Sequence, residues 1–331
     1  MEESKKLALI VPAWKANFLK ESLQSLEKQK GNFHQVYIFN DAAAPELGQI
    51  ISEFTERNPD WKYHRFEENL GGKNLAAHWN RCIRLTEEDW IWLFSDDDVM
   101  EADCIEAFQQ EQLRNPRHSV YRFHLKQMDE NGMELVSKSN SSPCISGAEF
   151  GNLRFLRSID SSAVEFVFSR QAFEQCGGFP EFPAAWCADD AAWIQFSAGA
   201  GIRLVEGPSV CWRLSPESIS GSGGTWTEKK RKAALQFSCW YNERFPMEAA
   251  DASFRAEQII WLRLQMVHQH FAPGFFQVLE MISELKIKGW TNQLRCFQDL
   301  YCLSYVYHCR VVLGQKPRGI RYWLSLLLPA Y

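Results

Sequence analysis

Four adjacent residues, Ser95-Asp96-Asp97-Asp98, follow directly on the apolar run Trp90-Ile91-Trp92-Leu93-Phe94. A short apolar run flanked by charge reads as a fully buried strand, so three carboxylates at its carboxyl end sit in the crevice where open α/β sheets bind ligands. Three adjacent negative charges repel one another, and a hard divalent cation that bridges them to a diphosphate relieves that repulsion. Magnesium or manganese suits such oxygens and binds through one or two carboxylates plus substrate phosphates. An extended run points Asp96 and Asp98 one way and Asp97 the other. One of the outer pair then ligates metal while its neighbour accepts from a ribose hydroxyl. The plainer alternative is a loop of solvated acids capping the next helix.

Asp189-Asp190 form a second acidic pair, preceded by Phe182-Pro183-Ala184-Ala185-Trp186-Cys187-Ala188 and followed by Ala191-Ala192-Trp193-Ile194. A carboxylate opening a helix beside aromatics is well placed for a general base, because partial desolvation raises its pKa. Simple N-capping of that helix explains the pair equally well. Asn40-Asp41 end an apolar run and can accept from a base or ribose, and an ordinary turn explains them equally well. Asn69-Leu70-Gly71-Gly72-Lys73-Asn74 open a helix and can bring backbone N–H groups or Lys73 toward a phosphate, although the spacing is neither a P-loop nor a dinucleotide fingerprint. Arg213 precedes the loop Ser218-Ile219-Ser220-Gly221; it can neutralise a diphosphate when that loop closes, or merely pair with a surface acid.

These residues need a scaffold that brings them to one edge. The first hundred residues alternate short apolar runs with helical periodicity, the pattern of βαβ units and a mostly parallel sheet. Strands are expected at Leu7–Val11, Val36–Phe39, Trp61–Phe66 and Trp90–Phe94, with helices between them. Right-handed crossovers place the ends of parallel strands on the same side, so the segments after Val11, Phe39 and Phe94 should open together. Beyond Asp98, Asn131-Gly132 signals an antiparallel hairpin between Val120–Leu125 and Gly132–Val136. Further strands are expected around Val164–Phe168, Ile202–Val205 and Val210–Trp212. From Thr225, which has capping-box spacing to Glu228, helical periodicity dominates to Tyr331 and implies four or five helices. The domains expected are therefore 1–224, with a nucleotide-binding half of about 1–100 and an acceptor-binding half of about 101–224, and a helical region 225–331.

Composition bounds the function. The chain has 331 residues and a net charge of −5, with one basic run, Lys229-Lys230-Arg231-Lys232, which argues against nucleic acid as partner. That run is expected to be a solvated helix face, with contact to anionic lipid as the second reading. The ten cysteines contain no C-x-x-C pair and read as buried thiols of a reducing compartment. The apolar run after Lys6 is too short for a signal peptide and no stretch matches a membrane span, so the cytoplasm is expected. The tail Tyr322–Pro329 could touch the inner membrane surface.

Taken in order, these residues resemble the family-two glycosyltransferases over about residues 5 to 222. Leu9-Ile10-Val11-Pro12-Ala13-Trp14 resembles the family's opening strand-Pro-Thr-Tyr segment, Phe39-Asn40-Asp41 its Asp-Asp-Gly-Ser loop, and Asn69 to Asn80 its Asn-x-Gly…Asn helix. Ser95 to Asp98 resembles the DxD region, Ala188-Asp189-Asp190 the Glu-Asp base motif, and Trp212-Arg213…Ser218-Ile219-Ser220 the closing segment. The resemblance implies an α/β A-type nucleotide-diphospho-sugar transferase fold and a divalent metal, manganese or magnesium. It implies transfer of a sugar, with inversion, from a nucleotide-diphosphate donor to a hydroxyl of a glycan or lipid-linked acceptor in cell-surface polysaccharide synthesis. Uridine is the base implied. Asp190, or Asp189, would take the acceptor proton and Arg213 would stabilise the departing diphosphate. Pro12, Ala13, Trp14, Asn40, Asp41, Asn69, Gly72, Lys73, Asn80, Asp96 and Asp97 would contact the donor, and Asp98 and Asp96 the metal. Asn40 stands where the family usually has its first uridine-contacting acid, and Ser95 where the first aspartate of DxD often lies.

Other classes fit less well. Aspartyl-phosphate hydrolases place their nucleophile after the first strand, where this chain has Pro12-Ala13-Trp14. A nucleotidyltransferase would need a basic Gly-rich loop there. A non-catalytic sugar-nucleotide-binding or scaffold module would have lost its acids, and both acidic clusters are present.

Overall fold

Apolar runs too short for helices, separated by stretches with helical periodicity, become a parallel sheet whose crossovers are amphipathic helices. A computed structural model describes residues 6–31, 34–215, 218, 226–245, 257–259, 261–262, 265, 274–285, 290–297, 300–301 and 309. Strands β1 (Leu7–Ala13), β2 (His34–Asn40), β3 (Lys62–Arg65) and β4 (Trp90–Leu93) pair in parallel in the spatial order β3-β2-β1-β4. Helices α1 (Leu19–Glu27), α2 (Pro45–Arg57) and α3 (Leu75–Arg84) connect them. The central strands are apolar throughout because both faces are covered; every residue of β4 is buried. Pro45 opens α2, where the N–H it lacks would have had no partner.

After β4 the chain turns through β5 (Val99–Met100) and α4 (Cys104–Arg114) into β6 (Val120–Met128). β6 pairs antiparallel with β7 (Glu134–Leu135) across the Asn131-Gly132 turn, as the hairpin signal predicts. A two-residue strand, β8 (Cys144–Ile145), leads into α5 (Gly147–Phe155), two elements beyond those the sequence patterns above include. β9 (Phe166–Ser169) fits antiparallel between β4 and β6, followed by α6 (Arg170–Gln175) and α7 (Ala188–Phe196). The two strands expected at 202–205 and 210–212 are one, β10 (Ile202–Arg213), parallel to β6. Its register shifts between Leu204 and Ser209, where Gly207 takes a φ of +107° that an L side chain resists. The sheet runs β3-β2-β1-β4-β9-β6-β10-β5. Its centre is aromatic: Trp92 stacks on Phe123 at 4.7 Å, and its indole N–H donates to the Val164 carbonyl at 2.7 Å.

The backbone forms two compact units. The first takes Met1–Arg154, Ser158–Glu181 and Ala188–Gly221, and contains the sheet. The second takes Phe155–Arg157, Phe182–Cys187 and Ser222–Tyr331. Within it, α8 (Trp226–Arg244) carries Phe237 and Tyr241, whose rings lie 5.3 and 5.1 Å from that of Phe155, with Trp261 also 5.1 Å from Phe155. Two further helices span Phe275–Glu284 and Trp290–Phe297. The basic run is not a uniformly solvated face: Lys230 and Arg231 are buried, Lys230 over the Trp186 ring at 4.9 Å and Arg231 against Glu228. Burial lowers the Lys230 pKa to about 8. Thr225, the loop segment Ile219-Ser220-Gly221 and the tail Tyr322–Pro329 lie outside the described residues. Among the described residues no helix is long and apolar enough to cross a membrane, and Cys144 and Cys176 are exposed rather than buried.

Candidate active site

The tips of β1 and β4 are neighbours because the two strands pair in register, Ile10 opposite Leu93. The turn after β1 meets the aspartate run directly: the backbone N–H groups of Trp14 and Lys15 donate to Asp96 Oδ2 at 2.7 and 2.6 Å. The Lys15 ammonium contacts Asp97 Oδ2 and lies 3.6 Å from Asp96 Oδ1. Ser95 Oγ donates to Asp97 Oδ1 at 2.5 Å. On the other side, the backbone N–H of Arg213 at the end of β10 donates to Asp98 Oδ1 at 2.7 Å.

The run is therefore bent rather than extended, and the alternation expected of it does not hold. Asp96 and Asp97 share Lys15, while Asp98 faces β10. All three carboxyls are buried, at 4, 5 and 2% exposure. Burial, reinforced by the Asp97 charge and opposed by Lys15, raises the Asp96 pKa to about 6. Burial and the Asp97 charge also raise that of Asp98. The chain's own charges thus leave the pocket short of positive charge.

Among the described residues no group of three or more His, Cys, Asp or Glu is arranged to hold a metal unaided. An ion held by one or two carboxylates and a substrate's phosphates needs no such group. The aspartates fit that mode. Asp98 Oδ2 accepts no hydrogen bond among the described residues, so a hard oxygen is available in a buried, anionic pocket.

Arg213 is engaged elsewhere. Its side chain is 2% exposed; Nε donates to the Asp97 carbonyl at 2.9 Å, Nη1 to the Asp129 carbonyl at 3.2 Å and Nη2 to Glu21 at 2.5 Å. The guanidinium also covers the Phe18 ring at 4.4 Å. In this arrangement the fork is spent on the aspartate loop, α1 and the β6–β7 turn.

At the β2 tip, Asp41 is 2% exposed and saturated by the chain. Its carboxylate accepts from the N–H groups of Leu70 and Gly71 at 3.0 and 2.7 Å, from Asn69 Nδ2 at 2.9 Å and from Arg81. The backbone N–H groups expected to face a phosphate are thus spent on Asp41, and a Cβ at Gly71 would lie 2.8 Å from Asp41 Oδ2. Gly72 N–H is turned inward too, to Asn69 Oδ1 at 2.9 Å. Lys73 is exposed, 3.8 Å from Glu68. Burial pushes the neighbouring His78, 3.4 Å from Asp41, down to about 4. Asn40 holds the Ala43 N–H at 2.9 Å and reaches the Tyr63 hydroxyl at 3.1 Å. Asn80 is also structural: both ends of its amide bond the Phe179 backbone, at 2.8 and 3.0 Å. Of the β1 tip, Pro12 and Ala13 pair with Phe39 and Asn40, and Trp14 is 53% exposed beside Asp96.

The second acidic pair opens α7, whose Trp193 stacks on Phe166 of β9 at 4.4 Å. The two acids differ. Asp190 is buried and accepts from Arg154 Nε at 2.8 Å. Asp189 is half-buried, and desolvation together with the Asp190 charge raises its pKa to about 7. Arg154 also donates to the Ile159 carbonyl at 3.0 Å. α5, which carries it, lies so close to α7 that a Cβ on Gly147 would be 2.7 Å from the Ile194 carbonyl.

Sequence reasoning missed Lys15, Arg154 and Glu165. Glu165 is buried, its pKa raised by burial to about 8 against the pull of Arg122 and Arg154. The one local signal the sequence carries for any of the three is the capping-box spacing of Ser162 to Glu165.

Solved structures with this fold include the Staphylococcus aureus TarS fragment 1–349, at 16% identity over 92% of this chain and 86% of that one, with a TM-score of 0.56. The same fragment with UDP-GlcNAc gives 15%, 96%, 86% and 0.59. The Pyrobaculum calidifontis mannosyltransferase PcManGT with GDP-Man and Mn2+ gives 14%, 89%, 86% and 0.52. No curated protein matches by sequence. The profile of glycosyl transferase family 2 matches residues 8–177, more than half of the chain, from β1 through the aspartate run to the turn after α6. With the sheet order and strand-end acids in agreement with that match, the chain belongs to glycosyl transferase family 2.

Proposed function

We propose that this protein transfers a sugar, with inversion at the anomeric carbon, from a nucleotide-diphosphate donor to a hydroxyl of a glycan or lipid-linked acceptor. The observation that carries the reading is the bent aspartate loop locked between the β1 tip and β10, in the unit whose α7 presents a second acid with a raised pKa. TarS with UDP-GlcNAc and PcManGT with GDP-Man support a nucleotide-sugar donor, and uridine is the base we favour.

In this reading Asp189 takes the acceptor proton. Its pKa of about 7 suits a general base, whereas Asp190 is committed to Arg154 and holds the start of α7 in place. The acceptor oxygen then forms a bond to the anomeric carbon as the bond to the diphosphate oxygen breaks, and the nucleoside diphosphate leaves with that electron pair. Trp14 and the β1 tip flank the donor, with Asp97 and Lys15 beside it. Manganese or magnesium would be held by Asp98 and Asp96, and when bound it neutralises charge on the leaving diphosphate. PcManGT with Mn2+ supports this choice. The sheet unit serves as the transferase domain and the helical region as an appendage that touches the inner membrane surface, consistent with polysaccharide synthesis on its cytoplasmic side.

A donor screen measuring release of nucleoside diphosphate from sugar nucleotides tests the reading. Turnover of at least one donor is expected, with Asp189→Asn retaining donor binding and losing at least ~10²-fold in kcat. Equal turnover in Asp189→Asn and a large loss in Asp190→Asn would transfer the role to Asp190.

A further inference from the structure

Lys15 sits where the acidic pocket needs a cation. Asp96, Asp97 and Asp98 are each at least nine-tenths buried. Among the described residues, Lys15 is the basic side chain that contacts their carboxylates, because Arg213 reaches the loop through the Asp97 carbonyl and its own backbone N–H. The anchor and the charge of Lys15 are separable. Its backbone N–H is fixed on Asp96 Oδ2 at 2.6 Å, while the ammonium ends a flexible stem and its side chain is 22% exposed. An ammonium is a compact point charge with rotatable donors, equally able to face a carboxylate or a phosphate.

The geometry points to Lys15 as a resident counter-ion, paired with Asp97, that competes with a divalent ion for Asp96 and turns to the donor's diphosphate when the donor enters. The inference rests on the proposed function, since it assumes a diphosphate in this pocket. Two effects of opposite sign follow from removing the charge. Without its competitor, a divalent ion alone binds more tightly; without its phosphate contact, a nucleoside diphosphate binds more weakly when metal is absent.

The test uses the full chain as wild type, Lys15→Met and Lys15→Arg. Manganese binding without nucleotide is read by the loss of the free-ion paramagnetic resonance signal, and UDP and GDP binding in EDTA by calorimetry. Lys15→Met should bind manganese about tenfold more tightly and the nucleotide about tenfold more weakly, with Lys15→Arg close to wild type in both. Manganese affinity that is unchanged or weaker in Lys15→Met, with the native thermal transition kept, overturns the inference. If Lys15→Met fails to fold, Lys15→Arg with manganese bound at least tenfold tighter than wild type also overturns it, because the charge is still present. Wild-type protein that binds no nucleoside diphosphate even with manganese would overturn the proposed function and the phosphate half of the inference, while the manganese comparison would still decide the counter-ion half.

Discussion

At the level of single side chains, the site separates groups that react from groups that hold. In the proposed mechanism Asp189 is the titrating base, so kcat/KM should rise with pH through about 7 as its carboxylate forms, and Asp189→Asn should flatten that limb. Glu165 titrates with a different consequence. Its folded pKa of about 8 lies above the ordinary carboxylate value, so the folded state binds the proton more tightly. The stabilisation is present in full below the unfolded pKa and is lost as pH rises through about 8. Thermal melts between pH 5 and 8.5 should show that decline in wild type and a shallower one in Glu165→Gln. Arg213 is a holding group whose planar fork serves three carbonyls, those of Asp97, Asp129 and Glu130, and Glu21. Arg213→Lys should cost about 2–4 kcal/mol in urea unfolding, because a point charge cannot satisfy the same acceptors.

At the level of elements, the two acidic sites depend on two close approaches. The register of β1 against β4 puts the Trp14 and Lys15 N–H groups over Asp96, and the contact of α5 with α7 puts Arg154 on Asp190. Gly147→Ala would push a Cβ against the Ile194 carbonyl. It should cost about 1–3 kcal/mol and lower kcat more than donor affinity, because the displaced helix carries the partner of Asp190 rather than the aspartate loop. Kinetics at saturating donor would check the split. Much of this level was legible in the sequence. Apolar runs and helical spacing located β1, β2, β4 and the three crossovers, and right-handed connection placed their tips together. What was not legible is long-range. The bend at Asp96 is imposed by N–H groups from residues 14 and 15, and the pairings of Asp190 with Arg154 and of Asp41 with Arg81 leave no local pattern. Two expected strands proved to be one because Gly207 lets β10 bulge instead of break.

At the level of the whole molecule, the chain divides into a sheet-bearing unit and a helical one. Both acidic clusters belong to the first, so a nucleoside diphosphate with manganese should stabilise that unit, by about 2.7 kcal/mol at a hundred times its Kd. Calorimetric scans with and without ligand should move the transition of the sheet unit. The bond from the Arg213 N–H to Asp98 links residues 115 positions apart, and the Arg213 guanidinium also reaches Glu21. The aspartate loop is therefore closed by the last strand of the sheet to be synthesised. A ribosome-bound chain that has emerged only through β5 carries every aspartate of the loop and lacks the backbone that holds Asp98. The aspartate pocket matures late, and a break in the chain before residue 213 would leave its residues present and its geometry unmade.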